Sequence, residues 1–514
     1  MVALVAAGRA AAQPNVLLIV TDDQRWDTLG YMPTVRSELA GKGVTFTNAF
    51  VVNPVCCPSR TSLLTGRWSH STGVWGVNGP HGGFHVFDDA STLPVWLDRA
   101  GYKTMLAGKY LNGYLDETYR PPGWDRWFAF TRNPNRYFDY GVADDGRPVV
   151  FGSNAGDYAT DVLADRAERF IRSAGEAPFF LYFAPKAPHV GGPGEYVTPA
   201  PRHAGSFAGL DPWRPPNVNE PDVSDKPAYI RNRAPVPEAE LDQLRQEQLE
   251  SLLAVDEAVA RMLDALRETG ELADTLVVFT SDHGFGWGEH RRTHKVVPYE
   301  ESIRVPLVIR YDRLGLAAHA ERRVVLNVDL APTVAAATGK TAPGAEGRNL
   351  LPLMAAQTRG WRPSFLYEAY MGEWNVNGWG APGYCAFRGG RWKYVQYNTG
   401  EEEVYDLARD PYELRSLHRT VSRAWLMAYR ERVRGSACRP PSFAPLPLCT
   451  RVGTAGPDRL FGTVRRDWIC AGAGPDRVDV RGGGADVARC GPGFDRVRAG
   501  PADRLVSCER RGWD

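Results

Sequence analysis

The chain has 514 residues, and its 61 basic and 60 acidic side chains leave a formal net charge of +1, which argues against nucleic acid or an anionic membrane surface as its partner. Hydrophobic residues make up 43% and charged residues 24%, an ordinary balance for a globular protein. No apolar run approaches the roughly 18 residues that a transmembrane helix needs. We therefore expect a large folded protein without a membrane span.

The first 13 residues allow two interpretations. They hold a short apolar stretch and then Ala10, Ala11 and Ala12, small residues of the kind found before a signal-peptide cleavage site. The usual basic segment ahead of the apolar stretch is missing, and Arg9 lies on the wrong side of it. Residues 1–13 are thus either a degenerate signal peptide or a frayed tail.

The eight cysteines are unevenly placed. Cys56 and Cys57 are adjacent, Cys385 stands alone, and five more lie between positions 438 and 508. A cysteine-rich tail is typical of proteins in an oxidising compartment. We therefore expect a secreted protein, free outside the cell or at its surface.

Strand and helix patterns alternate over residues 14–360, which we interpret as one α/β domain. A pattern of apolar residues at three- and four-residue steps predicts a long helix over 239–269, ended by Gly270. Four short apolar runs predict fully buried strands, at 15–21, 179–184, 275–281 and 305–311. This alternation favours a mostly parallel sheet sandwiched by helices.

Two pairs of potential metal-binding residues directly follow two of these predicted strands. Asp22 and Asp23 come after the first strand, and Asp282 and His283 come after the third. Ligands of open α/β sheets bind beyond the carboxyl ends of the strands, so we expect both pairs at one edge. Either pair alone would more often be a strand-end cap or a surface pair.

A change of pattern marks the C-terminal third. Residues 384–408 alternate aromatic and polar side chains between turn signals, which predicts a small antiparallel sheet inside a subdomain at 361–434. A proline-rich connector follows at 435–454.

The tail at 455–514 is an internal repeat in which aspartates recur every eight to ten residues, at Asp458, Asp467, Asp476, Asp486, Asp495 and Asp503. It resembles, in degenerate form, the calcium-binding nonapeptide repeats of RTX-type secreted proteins, which implies a short β-roll with two repeats per coil. Cys470 and Cys490 would then lie within disulfide reach on adjacent coils. The alternative is a disordered tail.

Residues 56–67 read CCPSRTSLLTGR. A cysteine pair by itself is most simply a structural or unpaired thiol. However, Cys-x-Pro-Ser-Arg followed by Leu-Thr-Gly-Arg resembles the signature of the sulfatase family, within the alkaline-phosphatase-like superfamily. The resemblance implies that a formylglycine-generating enzyme oxidises Cys56 to formylglycine, while Cys57 fills a variable position. One hydroxyl of the hydrated aldehyde would attack sulfur, and the other would expel sulfate.

The same resemblance implies one divalent cation, which we expect to be Ca²⁺ because most of its ligands are oxygens. The nitrogen of His283 is an unusual calcium ligand, which leaves the ion's identity open. The implied metal site is made of Asp22, Asp23, Cys56, Asp282 and His283.

Cationic groups of the family motifs would hold the sulfate. Arg60, one helical turn after Cys56, would steady the hydrated aldehyde and the sulfate. Lys109 in Gly-Lys-Tyr, His189 in Ala-Pro-His and Lys295 in Thr-His-Lys resemble the sulfate-binding residues, with His189 as the candidate general acid. Without their order and spacing, all three would be ordinary surface or capping residues.

The segment 107–114, AGKYLNGY, resembles N-acetylglucosamine-6-sulfatases, which would make Asn112 a substrate-pocket residue. Leu111 replaces a histidine that many family members have, so the base that releases sulfate is not assigned. His70 is either a second pocket residue or a packed, capping histidine. Several tryptophans are candidates for stacking on sugar rings or for ordinary core positions: Trp75, Trp124, Trp127, Trp374 and Trp379.

The sequence thus predicts a sulfuric ester hydrolase that acts on a sulfated carbohydrate, with N-acetylglucosamine 6-sulfate units as the candidate substrate. Two alternatives stay open. One is a phosphonate or phosphate ester hydrolase of the same superfamily. The other is a catalytically silent glycan-binding surface protein, in which Cys56 remains a thiol. The expected partners are a sulfated small molecule or glycan and the formylglycine-generating enzyme.

Overall fold

The computed structural model describes residues 13–441 except 133, 192–196 and 371–379, and the backbone of six short strands between 459 and 506. Predictions for residues 1–12 and for most of the connector at 435–454 therefore lie outside the described residues. The strands before the tail are β1 Asn15–Thr21, β2 Val44–Phe46, β3 Ala49–Phe50, β4 Lys103–Gly108, β5 Arg126–Arg132, β6 Gly141–Asp144, β7 Arg147–Val150, β8 Phe179–Ala184, β9 Thr275–Ser281, β10 Leu307–Arg310, β11 His319–Glu321, β12 Val325–Leu326, β13 Ser364–Ala369, β14 Tyr384–Gly389, β15 Trp392–Tyr397 and β16 Glu402–Asp406.

The helices include the long helix that the sequence predicts over 239–269, which spans Glu238–Glu268 and is followed by Gly270 at φ +77°. In chain order they are α1 Cys56–Thr65, α2 Ser69–Thr72, α3 Leu93–Asp98, α4 Ala159–Ser173, α5 Ala228–Arg231, α6 Glu238–Glu268, α7 Glu300–Ile303, α8 Leu330–Ala337, α9 Leu351–Met354 and α10 Arg423–Gly435. Within the described residues, none of these helices is both long and apolar enough to cross a bilayer.

A ten-stranded sheet forms the centre of the molecule, in the order β11-β2-β10-β9-β1-β8-β4-β5-β6-β7. The five consecutive strands β9-β1-β8-β4-β5 run parallel to one another. Strand β10 pairs antiparallel with β9, and β6 and β7 extend the other side of the sheet in antiparallel pairs. The prediction of an α/β fold with a mostly parallel sheet is confirmed. The strand at 305–311 joins in the opposite direction, because the chain between β9 and β10 contains only the one-turn helix α7 and makes no full crossover.

Side chains alternate between the two faces of this sheet, and both faces are covered. On β1, Leu17 and Ile19 pack into one apolar core with α4 and α6. Val16, Leu18 and Val20 pack into a second core with α1, α3 and α8. A strand buried on both faces must be apolar throughout, which explains the uninterrupted run in the sequence.

A second, four-stranded sheet is antiparallel throughout, in the order β13-β14-β15-β16, as the aromatic and polar alternation predicts. Helix α10 packs on it through Leu426 and Val433. Cys385 on β14 forms a disulfide with Cys438, 53 residues later. This disulfide is not predicted from the sequence, in which Cys385 is isolated and Cys438 is grouped with the cysteines of the tail.

The tail strands are β17 Arg459–Gly462, β18 Trp468–Cys470, β19 Arg477–Val480, β20 Val487–Arg489, β21 Arg496–Arg498 and β22 Arg504–Val506. Alternate strands pair in parallel, so that β17, β19 and β21 form one sheet and β18, β20 and β22 form another. This is the pairing predicted for a β-roll in which two repeats form one coil. Cys490 lies outside the described residues, so its disulfide with Cys470 stays a prediction.

Candidate active site

The two acidic pairs meet at one edge of the central sheet, as the sequence predicts. The last residues of β1 and β9 pair with each other, so both chains leave the sheet at the same level. Asp22, Asp23, Asp282 and His283 are all fully buried there. The backbone N–H of Asp23 donates to Oδ1 of Asp282 over 3.3 Å, which joins the two loops directly.

Cys56 is the first residue of α1, and the helix directs its N-terminus towards this edge. Its Sγ atom lies 3.2 Å from Nε2 of His283 and 3.8 Å from Oδ1 of Asp22. A helix N-terminus favours negative charge. Burial nevertheless raises the pKa of the Cys56 thiol, against the opposing effect of Lys109 and Lys295. The unmodified side chain is therefore a neutral thiol and a weak nucleophile.

Arg60 lies one turn further along α1, fully buried beneath the cluster. Its Nε donates to Oδ2 of Asp282 over 2.9 Å, and its Nη2 lies 3.5 Å from Oδ2 of Asp22. Its Nη1 donates to the carbonyl of Lys109 over 3.1 Å. Arg60 thus ties together the ends of three strands, β1, β4 and β9.

Two lysines reach the same carboxylates from separate loops. Nζ of Lys109 donates to Oδ2 of Asp22, and Nζ of Lys295 donates to Oδ1 of Asp23 over 2.7 Å. Burial disfavours charge on both carboxylates. At Asp22, Lys109 and other nearby cations outweigh burial and hold the pKa well below its usual value. At Asp23, burial wins and raises the pKa to about 7, against the pull of Lys295.

His189 closes the cluster from the loop after β8. Its Nε2 lies 3.8 Å from Oδ2 of Asp23, and its Nδ1 lies 2.5 Å from the carbonyl oxygen of Val190. The Tyr137 hydroxyl donates to the backbone carbonyl of His189 over 2.9 Å, which fixes the loop. Burial, followed by the charge of Lys295, holds the pKa of His189 well below its usual value.

The cluster has the donors that a divalent cation requires. Candidate ligand atoms lie within 4.8 Å of one another in two overlapping groups: Asp22, Cys56, Asp282 and His283; and Asp22, Asp23 and His189. Oδ2 of Asp23 is buried and has no hydrogen-bond partner within the described residues. A buried carboxylate oxygen is costly to leave unsatisfied, and a cation in this cradle would satisfy it. The residues present therefore fit a metal ion.

The two residues predicted to line the substrate pocket, Asn112 and His70, have different hydrogen-bonding environments. Oδ1 of Asn112 is buried and lacks a hydrogen-bond partner among the described residues, while its backbone carbonyl accepts from the N–H of Phe84 over 2.7 Å. The His70 ring is mostly buried, and its Nδ1 lies 2.8 Å from Oε1 of Glu368. The Glu368 carboxylate therefore fixes the orientation of His70.

The tryptophans proposed as sugar platforms are largely core residues. Trp75, Trp124 and Trp127 are buried, the last two within the aromatic core beside β5 and β8. They offer no face to a sugar. Trp374 and Trp379 lie outside the described residues.

Two polar residues to which the sequence assigns no catalytic role hold the loop of Asp282 in place. Ser59 donates its hydroxyl to the backbone carbonyl of Asp282, and Nδ2 of Asn327 donates to Oγ of Ser59 over 2.9 Å. Ser59 belongs to the Cys56 motif, which could have indicated its importance. Asn327 lies 268 positions after Ser59 in the chain, and the fold brings the two side chains together.

This mostly parallel sheet, with helices on both faces and a buried acidic edge, has the architecture of the alkaline-phosphatase-like enzymes. The sulfatase family model matches residues 14–340, and a model described as N-sulphoglucosamine sulphohydrolase, C-terminal, matches residues 288–431. The first match covers more than half of the chain. The chain belongs to the sulfatase family and is a sulfuric ester hydrolase.

Individual relatives agree with this assignment. The N-acetylglucosamine-6-sulfatase of Homo sapiens is 31% identical over 498 residues, which cover 85% of this chain and 87% of the relative. An extracellular sulfatase SULF-1 homologue of Drosophila melanogaster is 34% identical over 377 residues, 70% of this chain but only 33% of that relative. Among solved structures, BT4656 in complex with its substrate D-glucosamine-2-N,6-O-disulfate matches with a TM-score of 0.70 at 25% identity, covering 82% of this chain and 97% of that one.

Proposed function

We propose that this sulfatase removes sulfate from carbohydrates that contain N-acetylglucosamine 6-sulfate units, after oxidation of Cys56 to formylglycine. The position of Cys56 carries the proposal. Its sulfur lies at a helix N-terminus, between Asp22 and His283, with Lys109 bound to the same aspartate. Because burial keeps the thiol neutral, the unmodified side chain is poorly suited to attack. A hydrated formylglycine would supply two hydroxyls on one carbon at this position.

A divalent cation, Ca²⁺ in our proposal, would be held by Asp22, Asp23, Asp282 and His283. Three of these four ligands would be carboxylates, which matches the oxygen-rich donor set that calcium prefers. When bound, the cation would favour the deprotonated form of an adjacent hydroxyl and offset the charge of the sulfate. The unsatisfied Oδ2 of Asp23 supports this assignment.

Lys109 and Lys295 would bind the sulfate oxygens. Each ammonium group already borders a carboxylate of the metal cradle, so both can contact a sulfate placed against the Cys56 position. Such preorganised positive charge stabilises the transition state of sulfate transfer more than a flexible surface lysine could. Arg60 would hold the ligand carboxylates in place, because its guanidinium spans Asp22 and Asp282.

His189 would protonate the leaving alcohol. In the free protein, burial and Lys295 lower its pKa, which keeps the ring neutral. A sulfate ester bound beside it brings negative charge, and negative charge favours the protonated imidazole. Substrate binding would therefore prepare His189 as a general acid.

The substrate proposal rests on the relatives and on the pocket. Two of them are named for, or bound to, 6-sulfated glucosamine. Asn112 lies three positions after Lys109 in the sequence, and a sugar hydroxyl or amide would satisfy its unpaired acceptor. His70, held by Glu368, would line the same pocket.

We further propose that the protein acts outside the cell. The Cys385–Cys438 disulfide requires an oxidising compartment to persist. One relative is named as an extracellular sulfatase.

A comparison of four substrates tests the proposed activity. The protein is co-expressed with a formylglycine-generating enzyme and assayed with an aryl sulfate, an aryl phosphonate, N-acetylglucosamine 6-sulfate and its 3-sulfate isomer. We expect kcat/KM to be higher for the aryl sulfate than for the aryl phosphonate. We also expect it to be higher for N-acetylglucosamine 6-sulfate than for the 3-sulfate. A higher kcat/KM for the phosphonate would contradict the sulfate preference, and equal values for the two sugars would contradict the positional assignment.

A further inference from the structure

The residue after Lys295 has an unusual backbone conformation. Val296 is buried and has a φ of +74°, in the left-handed region. A β-branched side chain is rarely found there, because it crowds the backbone. Such a conformation persists only where the surrounding structure holds it. The direction of Lys295 therefore depends on whatever fixes this turn.

The carbonyl oxygen of Pro298, two residues beyond the turn, is held from the C-terminal sheet. It accepts a hydrogen bond from Nζ of Lys393 over 2.9 Å and one from the hydroxyl of Tyr367 over 3.0 Å. Both donors are fully buried, on β15 and β13. One carbonyl of the active-site loop thus binds two separate strands of the other sheet.

Glu300, two residues further, is held by the same lysine. Nζ of Lys393 lies 3.0 Å from Oε1 of Glu300 and 2.6 Å from Oε1 of Glu413, whose other oxygen accepts the backbone N–H of Glu300 over 2.8 Å. Burial disfavours charge on Glu300, but Lys393 and Arg388 outweigh it and lower its pKa to about 2. The pair of Lys393 and Glu300 is therefore ionised, and removing Lys393 would leave the buried Glu300 carboxylate with a weaker partner, Arg388 at 3.3 Å.

We propose that Lys393, assisted by Tyr367, is a positioning residue that holds the turn at Val296 and thereby directs Lys295 towards Asp23 and the sulfate. The inference rests on the proposed role of Lys295 in sulfate transfer. Lys393 touches neither Lys295 nor the cluster around Cys56 in any contact of the described residues. It acts through the Pro298 carbonyl and the Glu300 carboxylate.

Two substitutions of graded severity test the proposal. Lys393→Met removes the ammonium group but keeps the aliphatic stem, and Tyr367→Phe removes one hydroxyl. With an aryl sulfate we expect kcat to fall about 100-fold and about threefold respectively, because small misplacements of a catalytic group carry costs of this order. Tyr394→Phe is the matched control, since it removes a tyrosine hydroxyl from the same sheet, on β15, but one that donates to Glu402 and not to Pro298. Its kcat should equal that of the wild type, and an equal loss in the control would overturn the proposal.

Val296→Gly separates positioning from general destabilisation. Glycine adopts positive φ without a steric cost, so the turn would need less external support. The loss caused by Lys393→Met or Tyr367→Phe should be at least several-fold smaller in the Val296→Gly background. If the loss is the same in both backgrounds, Lys393 does not act through this turn. Should Lys393→Met not fold, Tyr367→Phe alone decides.

Hydrogen exchange gives a readout that does not need activity. The amides of residues 294–297 should exchange slowly in the wild type and faster in Lys393→Met and Tyr367→Phe, with no change in Tyr394→Phe. If the wild type hydrolyses no sulfate ester, the proposed function fails, yet this exchange pattern still tests the contact with the turn. Unchanged exchange in an active enzyme would refute the positioning role alone.

Discussion

The sulfur of Cys56 lies 3.2 Å from Nε2 of His283, across the gap between the first turn of α1 and the end of β9. This short distance connects the residue predicted to be oxidised with the loop predicted to hold the cation. A helix start and a strand end, more than 200 positions apart in sequence, are brought into contact by the central sheet. The reactive group and the metal cradle are therefore parts of one site.

Replacing Cys56 separates its role from that of its neighbour. Cys56→Ala should lower kcat for an aryl sulfate by about 10³-fold or more, because no other side chain in the cluster can supply the reacting group. Cys57→Ala is the control, since Cys57 is equally buried but packs into the apolar core. It should keep activity within about threefold, with a modest loss of stability. Full loss in Cys57→Ala with activity kept in Cys56→Ala would reverse the assignment.

Removing the Lys295 ammonium group should affect catalysis far more than folding. We expect Lys295→Ala to lower kcat by about 10²- to 10³-fold with calcium present, as for other preorganised charges in active sites. Steady-state kinetics and thermal unfolding in the same buffer measure the two effects. Lys42→Ala provides the control, because Lys42 is exposed and pairs with Glu38 four residues earlier. Near-normal turnover in Lys295→Ala would show that the lysine has no catalytic part.

Metal removal should destabilise the protein as well as inactivate it. Arg60, Lys109 and Lys295 already pair with the buried acidic cluster. A bound cation would add further favourable contacts, including one to the unsatisfied Oδ2 of Asp23. Calcium at 100 times its dissociation constant should raise the free energy of unfolding by about 2.7 kcal/mol. Thermal unfolding with EDTA and after calcium is restored measures this, and Asp282→Asn should show a much smaller calcium response. A wild-type stability that is insensitive to EDTA would argue against the cradle.

The disulfide joins the C-terminal sheet to the chain beyond α10, and its loss should be measurable. We expect Cys385→Ser with Cys438→Ser to lower the free energy of unfolding by about 2 to 4 kcal/mol, as is typical for a loop of this size. Urea unfolding of the oxidised wild type and of the double variant makes the comparison. An unchanged midpoint would mean that this bond does not form in the folded protein.

The sequence predicted much of the fold because the local patterns agree with the tertiary structure. Strands buried on both faces are uniformly apolar, and the long helix has a continuous apolar stripe, so both could be recognised without contacts. The direction of β10 could not be predicted, because it depends on how the chain returns after β9. The partner of Cys385 was missed for a related reason, since spacing alone does not define disulfide connectivity.

The candidate site was predictable where one motif contains several of its residues. Cys56 and Arg60 are one helical turn apart, so their placement followed from the helix itself. The carboxyl-edge rule brought Asp22 and Asp282 together. The contributions of Lys393 and Asn327 could not be predicted, because both lie far in sequence from the residues that they contact, and only the fold creates these hydrogen bonds and ion pairs.

The chemical state of Cys56 is the most direct test of the whole account. Mass spectrometry of the peptide that contains Cys56 and Cys57, from protein made together with a formylglycine-generating enzyme, should show the lighter aldehyde at Cys56 and its hydrazone after labelling. Release of inorganic sulfate should scale with the converted fraction. An unmodified thiol in protein that still releases sulfate at full rate would contradict the account, as would complete conversion in protein that releases none from any sulfate ester.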